Sequence, residues 1–226
     1  MVDNFLRLQK KPPKKRNKKI AGLFFVILGV IFFLYAFTPL ISWQIYFAGS
    51  FAQAKIDSPI PFTSLISNST EVLGKNYYDA SSWYPNFEVG NKKVEYTLSI
   101  DSLHIKDAKV SNDSDLTKHL VQYSPGGVPG NLGNVVIFGH STLPQLFKDT
   151  DYKTIFSTLY KLKVGDTINV IYENKKYVYQ VEQALVVEPD DTSVLGQNFS
   201  DSTLTLITCT PPGTVWKRLV IKAKLV

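Results

Sequence analysis

The sequence predicts an all-β domain preceded by a single membrane-spanning helix. Three observations carry this. An uncharged apolar run of 18 residues lies near the N-terminus. Short β-branched and aromatic runs, separated by turn residues, fill residues 91–226. Helical spacing is confined to one short stretch within them.

Residues 1–19 hold eight Lys/Arg (Arg7, Lys10, Lys11, Lys14, Lys15, Arg16, Lys18, Lys19) against one acid, Asp3. This tail carries +7 of a total formal charge of +6, so the rest of the 226-residue chain is at −1. The basic excess is therefore a tail and not a folded face, which argues against nucleic-acid binding and for contact with an anionic inner leaflet. Residues 20–42 read as a transmembrane anchor. The charge-free run Ile20–Phe37 spans roughly 27 Å as a helix, against a hydrocarbon core of about 30 Å, and no charge occurs between Lys19 and Lys55. Positive residues before a span stay inside, so the N-terminus is expected in the cytoplasm and the body outside, in a single-pass cell-membrane protein. A cleaved signal peptide is the alternative, because Ala52-Gln53-Ala54 has the small-x-small form of a cleavage site. The run is longer than the roughly 7–15 residues of a signal core, which favours a retained anchor.

Residues 43–90 mix Ser, Pro, Asn and isolated aromatics without sustained periodicity and read as an extracellular stalk or wrapping segment. Within it, Ser82-Trp83-Tyr84-Pro85 has the bulk to cover a groove. From residue 91, strands are expected at Val94–Ile100, His104–Val110, Asn134–Phe138, Thr167–Tyr172, Lys176–Val187, Thr203–Thr208 and Leu219–Val226, as a sandwich or barrel. Ile155, Phe156, Leu159 and Leu162 are at helical spacing, so a short helix is expected over Asp151–Leu162, and Lys163-Val164-Gly165-Asp166 is a tight entry into the next strand.

Cys209 is the only cysteine, which excludes an intramolecular disulfide and a multi-cysteine zinc cluster. An exported lone thiol is either buried or used. Cys209 closes the apolar strand Thr203–Thr208 and is followed by Thr210-Pro211-Pro212-Gly213, where prolines end the ladder, so the thiol stands at a strand mouth. If this strand and the last one form a hairpin, Arg218, nine residues on, returns beside the sulfur, and a fixed cation favours the reactive thiolate. His140 follows another apolar strand, with Gly139 before it permitting close approach. His104 and His119 read as structural or surface residues. Together Cys209, His140 and Arg218 suffice for acyl transfer: a thiolate nucleophile, a general acid and base, and a donor to the developing oxyanion. No metal or cofactor is expected, since Asp113, Asp115, Asp190 and Asp191 read as solvated loop acids.

These residues resemble one family, the sortases, which are membrane-anchored cysteine transpeptidases of bacterial surfaces. Thr205-Leu206-Ile207-Thr208-Cys209 is similar to the family's TLxTC. Thr210-Pro211-Pro212-Gly213-Thr214, with Arg218-Leu219-Val220 after it, resembles its continuation. The segment from Pro129 to His140 is similar to PGxxGNxVIxGH, and Phe156–Asp166 to FxxLxxLKxGD. The resemblance covers about residues 91–226. It implies a closed eight-stranded β-barrel with one or two short helices, with Cys209 and Arg218 on adjacent strands and His140 at the end of another. It also implies cleavage of an LPxTG-like sorting signal through a thioacyl enzyme on Cys209. Transfer would follow to an amine of a peptidoglycan precursor or a pilin lysine. Leu206 and Thr208 are expected to contact substrate. The nine-residue Cys-to-Arg spacing is nearer classes C, D and E than class A. Ser141 departs from the Arg or Asn that many members carry after the histidine, and residues 76–87 lack an Asp-Pro-Trp lid motif. Two alternatives stand beside transpeptidation: the same chemistry ending in hydrolysis, and a non-catalytic exported barrel that binds peptide or wall polymer.

Overall fold

A computed structural model describes residues 22–38, 76–84 and 93–226. The chain divides into two compact units, Met1–Phe47 and Ala48–Val226. In the first, residues 22–38 form a helix, α1, with apolar side chains exposed on all sides. Among the described residues no helix is long and apolar enough to cross a membrane. α1 covers the middle of the expected 20–42 span. The ends of that span, the basic tail 1–19, residues 43–75 and 85–90 of the expected stalk and residues 91–92 of the expected barrel domain lie outside the described residues.

The second unit is a closed barrel. Its strands are β1 (Glu95–Ile100), β2 (Ile105–Ser111), β3 (Leu120–Gln122), β4 (Gly133–Phe138), β5 (Thr167–Tyr172), β6 (Lys175–Val187), β7 (Ser202–Thr210) and β8 (Lys217–Leu225). They close in the order β1-β2-β3-β4-β7-β8-β6-β5. Pairing is antiparallel except at β2–β3 and β4–β7. Seven strands stand where the apolar runs put them. The eighth, β3, is three residues long and sits after the polar Lys118-His119, too short to show a period. The expected helix over Asp151–Leu162 is instead a run of turns ending in a 3-10 turn, Leu159–Lys161. Its four spaced apolar residues are nonetheless buried, so the pattern reported burial correctly and the backbone class incorrectly.

Alternation along a strand sends neighbouring residues to opposite faces, and in β4 and β7 both faces are covered. Val135, Ile137, Leu204 and Leu206 share one face and are at most 1% exposed, filling the barrel. On the other face Val136, Phe138, Ile207 and Cys209 join Val220 of β8 in a cluster completed from outside the barrel. Its outer members are Val194 and Leu195 of the β6–β7 connection and Ala80, Trp83 and Tyr84 of the segment 76–84. In keeping with this two-sided burial, neither strand carries a charged residue.

The segment 76–84 is a strap across that outer face. Asp79 bridges Asp115. Ala80 N donates to Ser114 O at 2.8 Å and Leu116 N to Tyr78 O at 3.0 Å, while Trp83 Nε1 donates to Tyr77 O at 3.0 Å. Ala80, Trp83 and Tyr84 are at most 2% exposed, so the strap is packed and not merely laid on the surface.

Candidate active site

Cys209 is the penultimate residue of β7 and pairs directly across the hairpin with Arg218 of β8. Directly opposed residues in an antiparallel pair present their side chains on one face. Arg218 Nη1 accordingly donates to Cys209 Sγ at 3.4 Å, and to the carbonyls of Val215 at 3.4 Å and Lys217 at 3.5 Å. The guanidinium is 2% exposed and lies 4.9 Å from the Trp83 ring centroid and 6.0 Å from that of Tyr77. Among the described residues no carboxylate pairs with this buried cation, which is held by carbonyls, sulfur and two aromatic faces.

His140 arrives from β4. Val136 pairs with Thr205 and Phe138 with Ile207 in the parallel β4–β7 ladder, and Gly139 N donates to Ile207 O at 3.1 Å. Two residues further in the same register sets His140 opposite Cys209. Three neighbouring strands thus present His140, Cys209 and Arg218 in a row on the covered face. Gly139 is required at this exit, because a Cβ there would run into the Phe156 ring and Leu120. The imidazole lies 5.4 Å from the Tyr78 ring and 5.8 Å from the Trp83 ring, centroid to centroid. Its Nε2 is buried with no hydrogen-bond partner among the described residues.

A cleft of about 580 Å³ opens on the row, lined by His140, Cys209, Tyr78, Lys153, Leu146 and Val215, among others. Beneath the strap, burial pushes the Cys209 thiol above the ordinary thiol range, against the pull of Arg218. Burial, with the Lys153 cation second, draws His140 down to about 4. Both groups are thus held neutral while covered. The machinery is assembled but not charged.

Of the five residues expected at the site, the structure brings together Cys209, His140 and Arg218. It does not bring Leu206 and Thr208 to the cleft. Leu206 is fully buried on the barrel-filling face of β7, opposite to Cys209, and the buried Thr208 hydroxyl donates to Gly139 O at 2.7 Å. His104 is an exposed turn residue with φ 58°, and His119 pairs with Asp113 at 2.8 Å, so neither lines the cleft. The sequence offers Trp83 and Tyr84 as cover for a groove but does not set Tyr77, Tyr78 and Trp83 against the Arg218 and His140 side chains. The density of aromatic residues in an otherwise polar stretch was the available signal.

A strand-end cysteine paired across a hairpin with a buried arginine, with a histidine entering from the neighbouring strand of a closed barrel, defines the site of a cysteine transpeptidase fold. The sortase-domain family model matches residues 98–226, more than half of the chain, and the protein belongs to the sortase family. It is an enzyme of the sortase type, a cysteine transpeptidase. It is similar to Sortase D of Bacillus subtilis (strain 168), with 24% identity over 215 residues, covering 92% of this chain and 99% of that protein. Among solved structures it resembles a Clostridium perfringens Sortase D5 transpeptidase, with 28% identity and a TM-score of 0.51, over 62% of this chain and 82% of that one. It also resembles a lid mutant of sortase A from Corynebacterium diphtheriae, with 28% identity and a TM-score of 0.52, over 60% and 72%.

Proposed function

We propose that this sortase cleaves an LPxTG-like sorting signal and transfers the signal-bearing protein to an amine of a peptidoglycan precursor or of a pilin lysine. The observation that supports this most is the Arg218 Nη1 contact to Cys209 Sγ in a cleft shared with His140. In the reaction, the Cys209 thiolate attacks the carbonyl carbon of the signal's threonine. Arg218 donates hydrogen bonds to the oxyanion, standing in for backbone amides. His140 as imidazolium protonates the departing glycine amine, leaving a thioester on Cys209. An incoming amine then loses its proton to His140, attacks the thioester carbon and releases the thiolate. The likeness to proteins named Sortase D favours a class D type of role.

The strap restrains the pair, because Trp83 packs against the Arg218 and His140 side chains and the burial it contributes to favours the neutral thiol and imidazole. Displacing it restores water, which lowers the thiol pKa and raises that of the imidazole. We place the catalytic barrel outside the cell, held to the membrane by residues 20–42, of which α1 is the middle. The test is to incubate the full chain in detergent with a library of LPxTG-like peptides, with and without an amine, and to identify products by mass. An amine-linked product establishes transpeptidation. A hydrolysed peptide in the presence of every amine tried would contradict transfer and leave hydrolysis as the activity.

A further inference from the structure

We infer that Ser141 is a positioning residue, holding His140 opposite Cys209 after β4 has ended; this rests on the transpeptidase reading above. The β4–β7 ladder is parallel and its last backbone pair is Phe138 with Ile207. Gly139 N still donates to Ile207 O at 3.1 Å. Carbonyls two residues apart on a strand point the same way, so Cys209 O faces the path that β4 has left. A ladder that continued would bring the amide of residue 141 to it. The hydroxyl of Ser141 donates to Cys209 O instead, at 2.6 Å.

A second rung lies on the other side of His140, where the Thr208 hydroxyl donates to Gly139 O at 2.7 Å. His140 is therefore enclosed between two side-chain rungs. One is anchored on the residue before the nucleophile and one on the nucleophile itself. On its third side His140 O accepts from Phe156 N at 3.0 Å. These bonds fix the backbone that carries the imidazole to the backbone that carries the thiol. They touch neither reacting group, so the thiol and the ring remain free to exchange protons. That is the arrangement a transfer needing both groups at one carbonyl requires, because displacement by about 1 Å is enough to cost up to about a hundredfold in rate. Thr208 belongs to the TLxTC signature. Ser141 lies outside every motif, and it departs from the residues common at its position.

The experiment compares the full-chain wild type with Ser141→Ala and Ser141→Thr on one peptide and amine pair. The readouts are kcat, KM and the thermal unfolding midpoint. Ser141 is only partly buried, so Thr keeps the donor and its added methyl has room. The expected result is a fall in kcat of about tenfold for Ser141→Ala with KM within about twofold of wild type. The unfolding midpoint should be unchanged, and Ser141→Thr should recover most of the rate. A Ser141→Ala enzyme with wild-type kcat overturns the inference. So does a loss that Ser141→Thr does not recover, or one tracked by the unfolding midpoint. Failure of the wild type itself to turn over any peptide would show separately, in the control, and would overturn the transpeptidase reading together with this inference.

Discussion

The β7–β8 hairpin and the strap 76–84 both touch the same guanidinium, and they do so by opposite means. The hairpin delivers Arg218 to Cys209 through local geometry: nine residues, one turn and a direct cross-strand pair. The strap delivers Tyr77 and Trp83 from more than a hundred residues upstream, through packing and a few hydrogen bonds to the β2–β3 connection. The hairpin contact is inseparable from the barrel. The strap contact is made by packing, and on the proposed reading its removal is what charges the pair. Assembly and restraint are thus written into different parts of the chain, and each can be broken without the other.

Breaking the hairpin side has the largest expected effect. Arg218→Lys keeps a positive charge but loses the planar fork that reaches the sulfur and two carbonyls. The rate of peptide turnover should fall by about a hundredfold or more, with the barrel's circular dichroism unchanged. Near-wild-type turnover would remove Arg218 from its oxyanion role. Cys209→Ala should abolish turnover altogether.

Breaking the strap side acts in the other direction. Trp83→Ala removes the ring 4.9 Å from the guanidinium and 5.8 Å from the imidazole, and opens the face to water. Alkylation of Cys209 by a small thiol reagent at neutral pH should accelerate by about tenfold, because the burial that raises the thiol pKa is relieved. An unchanged or slower alkylation rate would mean that the strap does not restrain the thiol.

A separate effect concerns stability and leaves the rate aside. His140 sits at about 4 in the folded chain, against about 6.5 when unfolded. Between these values the unfolded state binds the extra proton, so stability is lost as pH falls through this window and is retained above it. The unfolding free energy of wild type should drop by up to about 3 kcal/mol more than that of His140→Gln between pH 6.5 and 4. Equal acid sensitivity in the two would show that the imidazole is not held neutral by burial.

The contrast also explains what could be read from the residues. The strands rich in Val, Ile and Thr announced themselves by composition and turn residues. The strand-end positions of Cys209 and His140 followed from Pro211-Pro212 and Gly139. Their meeting could be expected from a hairpin of known span and from the motif resemblance. β3 was not legible, because three residues carry no period. Nor was the backbone class of Asp151–Leu162, where burial every three or four residues is equally served by successive turns. The expectation that Leu206 and Thr208 would face the cleft came from their membership in the signature. Strand alternation alone sets Leu206, three residues before Cys209 in one strand, on the opposite face, and that rule outweighs signature membership. The strap was half legible: Trp83 and Tyr84 had the bulk to cover a groove, but which charge they would cover depends on tertiary packing that no local pattern encodes.

The most direct measurement is the intact mass of the full chain after brief incubation with an LPxTG-like peptide without amine, run beside Cys209→Ala. The expected result is a thioacyl adduct on the wild type, carrying the peptide up to its threonine, and no adduct on the variant. The same adduct on Cys209→Ala, or no adduct on a wild type whose thiol alkylates freely, would contradict the assignment of Cys209 as nucleophile.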